Sequence, residues 1–260
     1  MTNAWLEQLI ESDRLYFEWG ARRDVIEHAT IAWMPEFRHL AGAAVVHRVR
    51  AGDVSQPSKW IAAVESALGD RGIALGRIYL DHESVALEAT LEAAGWARRR
   101  EIAVLAGIVG SRSALRNVRL VRIDDEQWDE KTRLHRECGE MPDGYDPDGD
   151  AYVEMERCRE AAGPLRFYLA ETRDHVVGTV GLALIGGLLR LKNLLVRPAD
   201  RARGLGHAIV EEALAIASEV RAERAGCFAI EGRARSLYED CGFRSIGCQI
   251  EWSKPLEASR

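Results

Sequence analysis

Gly204 and Gly206 stand two apart in the run Arg201-Ala-Arg-Gly-Leu-Gly-His207. They fall where a strand pattern (Leu191 to Val196) gives way to a helical one, with Leu205, Ile209, Ala213, Ile216 and Val220 recurring every three or four residues. The first turn of a helix carries N–H groups without carbonyl partners and a partial positive charge, so it binds anions, pyrophosphate included. Glycines leave that backbone approachable, and Arg201 and Arg203 add cationic charge. On the residues alone the pair suits a phosphate cradle and a plain turn equally well. Two nucleotide motifs are excluded: position 209 is Ile where a dinucleotide fingerprint needs Gly or Ala, and no Gly-Lys-Ser/Thr follows.

Other chemistry is sparse. The seven histidines form no H-x-x-x-H pair and have no cysteine at ligand spacing, so no metal site is expected. The five cysteines form no C-x-x-C and are odd in number, which argues against a disulfide framework and for a reducing compartment. The acidic run Asp143 to Asp150 fails as a calcium loop, because Ala151 and Arg157 stand where glycine and glutamate are needed; it reads as a solvated turn. A net charge of −6 offers no basic footprint for nucleic acid. No apolar run approaches the ~18 residues that span a bilayer. The N-terminus, MTNAWLEQLIESD, lacks the basic and apolar regions of a signal peptide, so a soluble cytoplasmic protein is expected.

The elements that must position the glycine loop follow from periodicity. Val118–Ile123 reads as a strand and Asp125–Glu137 as a helix opened by acidic residues. Leu165 to Val196 reads as a three-stranded antiparallel meander, with Gly186-Gly187 as a tight hairpin turn. After the long helix come a short strand (Cys227–Ile230), a short helix (Arg233–Cys241) and a final strand (Phe243–Trp252). Gly107 to Asn117 is rich in small and polar residues between two strand patterns and reads as a linker. Two domains are therefore expected, residues 1–108 and 117–260, of α/β (α+β) class with mixed sheets flanked by helices.

The two halves end alike. Leu87 to Ala106 and Ala234 to Ser253 each give a short helix, a Gly-aromatic pair and an amphipathic strand, with Gly95 and Gly242 lying 147 positions apart. Upstream of each lie a helical stretch (Trp60 to Leu68; Leu205 to Val220) and a short strand (Ile78–Leu80; Cys227–Ile230). Four elements in one order favour duplication over coincidence. Val25–Trp33 and Ala43–Val49 then read as two strands of a shortened first copy.

Arg201-x-x-Gly204-x-Gly206, preceded by Leu194-Leu-Val196 and Pro198, resembles the acetyl-CoA signature Q/R-x-x-G-x-G/A of the GNAT superfamily of N-acetyltransferases. Ala234-x-x-Leu237-Tyr238-x-x-x-Gly242-Phe243 is similar to the last helix and strand of that fold. The resemblance covers about residues 117–253 and implies acetyl-CoA as donor. It implies that Leu194, Leu195 and Val196 offer backbone groups to the pantetheine arm and thioester carbonyl. It gives Ala202, Arg203, Gly204, Leu205, Gly206 and His207 the pyrophosphate, beside Arg201, and Tyr238 the role of general acid towards the leaving thiolate. It also makes the acidic run 143–150 a candidate amine-attracting lip.

The sequence departs from the family on the strand before the cradle. Leu189 to Asn193 holds no glutamate to act as base, and Glu231 stands where the family often has asparagine. The expected activity is acetyl transfer to a small-molecule amine. A catalytically silent acyl-CoA-binding or regulatory protein and a protein or peptide N-acetyltransferase are the alternatives. The first half has no Arg-x-x-Gly-x-Gly and carries Leu91 in the place of Tyr238, so it resembles the degenerate half of a tandem protein. Two similar halves can mimic the dimer of single-domain relatives, which leaves a monomer and a homodimer both open.

Overall fold

The computed structural model describes residues 2–107, 117–138 and 149–256. In chain order the elements are α1 (Thr2–Glu18), β1 (Arg22–Ile26), β2 (Ala29–Trp33), β3 (Ala44–His47), α2 (Pro57–Gly69), β4 (Leu75–Leu80), α3 (Val85–Ala93) and β5 (Ala97–Gly107). There follow β6 (Arg119–Arg122), α4 (Trp128–Cys138), α5 (Gly149–Ala162), β7 (Leu165–Glu171), β8 (Val176–Ile185) and β9 (Leu188–Val196). The last elements are α6 (Leu205–Glu219), β10 (Arg224–Ile230), α7 (Arg233–Asp240) and β11 (Arg244–Pro255). Two compact units result, one of Asp13–Glu101 with Cys248–Arg260, the other of Met1–Ser12 with Ile102–Gly247. Each unit includes one terminal segment of the chain. That linker, save its ends, lies outside the described residues.

In the first unit the strands run β1–β2–β3–β4–β11, with β3 and β4 parallel and the other pairs antiparallel. The single strand read over Val25–Trp33 is two, because His28 adopts φ 62 and reverses the chain. Period-two alternation gives this sheet two different faces. Ile31, Val46, Ile78, Leu80, Ile250 and Trp252 join Trp60, Val64 and Leu68 of α2 and Leu87 and Leu91 of α3 in one apolar core. The opposite face is polar yet buried. Arg77 and Tyr79 both donate to Glu251, Arg99 donates to Glu251 at 2.6 Å, and Gln249 donates to Asp81 at 2.7 Å. Buried polar groups persist only when paired, and the register Glu251↔Tyr79 supplies the partners.

In the second unit the order is β5–β10–β9–β8–β7–β6. The meander β7–β8–β9 is antiparallel as expected, turning at Gly186 (φ 52) and Gly187 (φ 83). Helix α6 buries Leu205, Ile209, Ala213 and Leu214 on one stripe. Helix α4 begins at Trp128, later than Asp125, because Asp124 Oδ1 accepts the N–H groups of Glu126 and Gln127 in a turn. Helices α1 and α5 were not read from the sequence. In α5 the buried positions include Glu156 and Arg159, so charge interrupts the apolar stripe that would have revealed it. Both halves close on the same device: Gly95 (φ 83) and Gly242 (φ 89) bury Trp96 and Phe243, whose N–H groups donate to Leu91 O and Tyr238 O at 3.0 Å.

Candidate active site

The second unit holds every residue singled out for chemistry. Strands β9 and β10 are parallel and paired from Leu188↔Arg224 to Arg190↔Gly226, where the pairing ends. β9 continues to Val196, bonded on its other side to β8, while β10 continues to Ile230. A backbone edge facing a gap is thus opened along Asn193 to Val196. β9 also carries a bulge: Lys192 pairs with Gly181 and Leu195 with Thr179, so Asn193 and Leu194 together face Val180. Asn193 accommodates it with φ 51. On β8 a Cβ at Gly178 would meet Leu195 O at 2.4 Å, so only glycine allows β9 this close. The Val196 carbonyl accepts the Nε–H of Arg201 at 3.1 Å, which folds Arg201 back over the strand end.

Beyond β9 a single 3-10 turn (Pro198–Asp200) leads into the glycine loop. Asp200 is buried and anchors the loop, with His175 Nε2 at 2.8 Å and Arg203 Nη1 at 2.7 Å. Residues 201–204 are exposed. Ala202 (φ 62) and Gly204 (φ 78) are both left-handed, and a non-glycine there costs about 1 kcal/mol. Gly204 is the N-cap of α6 and supplies no side-chain hydrogen bond to its first turn. The amides of Leu205, Gly206 and His207 therefore have neither intrahelical nor cap partners, beneath an exposed loop. A Cβ at Gly206 would only touch Leu237 at 3.4 Å, so packing alone does not demand glycine there. His207 faces Asp240 at 3.4 Å.

Tyr238, on α7, is 8% exposed and stacks edge-on to Phe243 at 5.4 Å. Burial pushes its phenol well above the ordinary tyrosine range, with the neighbouring Cys227 thiol reinforcing the shift. Burial also pushes Cys227 up to about 12. Both groups hold their protons through neutral pH. Cys227 is the residue after Gly226, so the phenol meets β10 where β9 and β10 part. A protonated hydroxyl at that point is chemically suited to donate.

Of the sequence-derived residues, Leu194, Leu195, Val196 and the loop Arg201 to His207 are continuous around the end of β9. Arg203 is paired with Asp200. Of the acidic run, 143–148 lie outside the described residues, and Asp150 opens α5, paired with Arg136. The buried Lys131 and Glu156 escaped the sequence reading, as did the half-buried Asn193 as their partner. Arg197, which reaches Glu130 and Glu137 of α4 at 3.1 Å, escaped it too. The one available signal was the rarity of lysine and glutamate inside helical stretches that must be covered.

Residues 163–245 match the acetyltransferase (GNAT) domain family. No curated protein matches the chain. Among solved structures, a GCN5-related N-acetyltransferase from Kribbella flavida has a TM-score of 0.68 at 13% identity, covering 96% of this chain and 95% of that one. One from Sphaerobacter thermophilus has a TM-score of 0.63 at 16% identity, covering 88% and 76%. A tandem GNAT protein from the clavulanic acid biosynthesis pathway has a TM-score of 0.57 at 13% identity, covering 89% and 79%. The match to the GNAT acetyltransferase domain falls within the second unit, and the fold is that of GNAT proteins, tandem ones included.

Proposed function

We propose that the second unit transfers an acetyl group from acetyl-CoA to the amine of a small molecule. The observation that carries this reading is the uncapped N-terminus of α6 under an exposed, left-handed glycine loop, directly beyond the parting of β9 and β10. Those first-turn amides would receive the pyrophosphate, and the open edge of β9 from Leu194 would receive the pantetheine arm. A backbone N–H on that edge would polarise the thioester carbonyl as the amine nitrogen attacks its carbon. The carbon–sulfur bond then breaks, and Tyr238 would supply the proton taken by the departing thiolate. The amine loses its own proton to solvent, since β9 offers no carboxylate and Glu231 stands exposed after β10.

The missing strand carboxylate favours a second reading, a silent acyl-CoA-binding protein. Steady release of free CoA with an amine panel separates the two, provided that Tyr238→Phe lowers it. Mass shifts on peptides but on none of the small amines would move the acceptor class to proteins. The first unit is proposed as the degenerate copy, with Leu91, fully buried, in the place of Tyr238. All five cysteines are free, which supports a reducing cytoplasm, and no described helix is long and apolar enough to cross a membrane.

A further inference from the structure

A buried charged array lies behind the bulge of β9, and no step of the proposed chemistry uses it. Lys131 of α4 and Glu156 of α5 are both wholly buried and form an ion pair of 2.6 Å. Asn193 donates through Nδ2 to Glu156 Oε1 at 2.5 Å. Lys131 Nζ also lies 3.0 Å from His135 Nε2 and 4.4 Å over the Phe167 ring. Burial pushes His135 down to about 4, and Lys131 beside it adds to the effect, so the ring is neutral and accepts from the ammonium.

Such an array is a poor way to stabilise a core. Desolvating each ion costs several kcal/mol, and apolar residues of equal volume often serve as well or better. Glu156 is also no general base, because it has no exposed surface and its oxygens are held by Asn193 and Lys131. What the array does contact is the one residue that shapes the bulge. Asn193 holds a left-handed φ of 51, a conformation that costs a non-glycine residue on the order of 1 kcal/mol unless its surroundings fix it. The side chain that pins it ends on Glu156, and Glu156 is itself fixed by Lys131.

We propose that Lys131, Glu156 and Asn193 form a positioning array that locks the β9 bulge and so aims the backbone of Leu194 and Leu195 into the gap beside β10. The inference rests on the acetyl-transfer reading of that gap, while the bulge it explains does not. Asn193 is the positioning residue, and Glu156 and Lys131 act through it. The cradle at 201–207 lies beyond the array, so binding of the nucleotide end is not expected to depend on it.

The test uses the full chain with Asn193→Gly, which keeps the left-handed backbone and removes the tether, and the exchange double variant Asn193→Asp with Glu156→Gln, which swaps donor and acceptor across that hydrogen bond and keeps the array's net charge. Asn193→Gly should keep acetyl-CoA affinity within about threefold and lower kcat by about tenfold or more, since a mis-aimed backbone donor loses transition-state contact. Amide hydrogen exchange at Leu194 and Leu195 should quicken by about tenfold in the same variant. The exchange variant should restore kcat and exchange protection towards wild type. Unchanged kcat and protection in Asn193→Gly would overturn the proposal, as would a folded exchange variant that restores neither. Should the wild type release no CoA with any amine, the acetyl-transfer reading fails, and the exchange measurement still decides whether the array locks the bulge.

Discussion

Replacing Gly178 with alanine probes the site from outside it. The new Cβ would sit 2.4 Å from Leu195 O and 2.9 Å from Ile209 Cδ1, where ordinary contact begins at 3.4 Å. The isoleucine tip can turn aside, but the carbonyl belongs to β9, so relief requires that strand to retreat by about 1 Å, an overpacking that costs roughly 1–3 kcal/mol. For a chain of this size such a loss lowers Tm by about 2–10 °C. The larger effect falls on turnover, because β9 at Leu194 to Val196 is the edge assigned to the thioester. A misplacement of about 1 Å there is worth up to ~100-fold in kcat/KM. Calorimetry for stability and CoA release for turnover read the two effects separately. Gly52→Ala is the control, since nothing lies within 4 Å of the added Cβ and its φ is not left-handed. Unchanged turnover and Tm in Gly178→Ala, matching Gly52→Ala, would refute the claim that β9 is held at contact distance for function.

Other expectations follow from the same geometry. Tyr238→Phe keeps the ring against Phe243 and should lower kcat by about 100-fold or more while acetyl-CoA binding persists, with the wild-type acid function intact until pH passes well above 10. Burial depresses His47 and His135 to about 4, so the folded chain holds them neutral. Their contribution, up to about 3 kcal/mol each, is present above pH 6.5 and is lost as pH falls from 6.5 towards 4. His47→Leu, at a ring whose nitrogens have no hydrogen-bond partner, should flatten part of that loss in denaturant titrations at successive pH values; an unchanged acid limb would contradict the assignment. Glu251→Leu leaves Arg77 buried beside no carboxylate at that position and should cost about 3–5 kcal/mol, seen as early melting or proteolysis of the first unit.

The second half was legible because its signals are local. A strand, a glycine pair and a helical stripe in sequence mark the passage from β9 to α6, and Gly242-Phe243 marks the end of α7 as Gly95-Trp96 marks that of α3. The meander was legible because alternation and the Gly186-Gly187 turn agree. What stayed hidden depends on partners distant in the chain. Glu251 and Gln249 look like solvent-facing residues of a last strand until Arg77 and Tyr79 of β4, and Asp81 just after it, meet them. Helix α5 was hidden because Glu156 occupies a buried position, and its burial makes sense only once Lys131 and Asn193 converge on it. The hairpin at His28 was missed because a left-handed histidine has no distinct sequence signature.

The most direct test of the central claim is a calorimetric titration of the full chain with acetyl-CoA, beside Gly204→Ala and Gly204→Glu. The account predicts one site per chain with a dissociation constant near micromolar, about −8 kcal/mol. It predicts a modest loss for alanine from the left-handed φ of 78, and abolition for glutamate, whose charge faces the pyrophosphate. Two sites per chain, or a glutamate variant that binds as the wild type does, would contradict it.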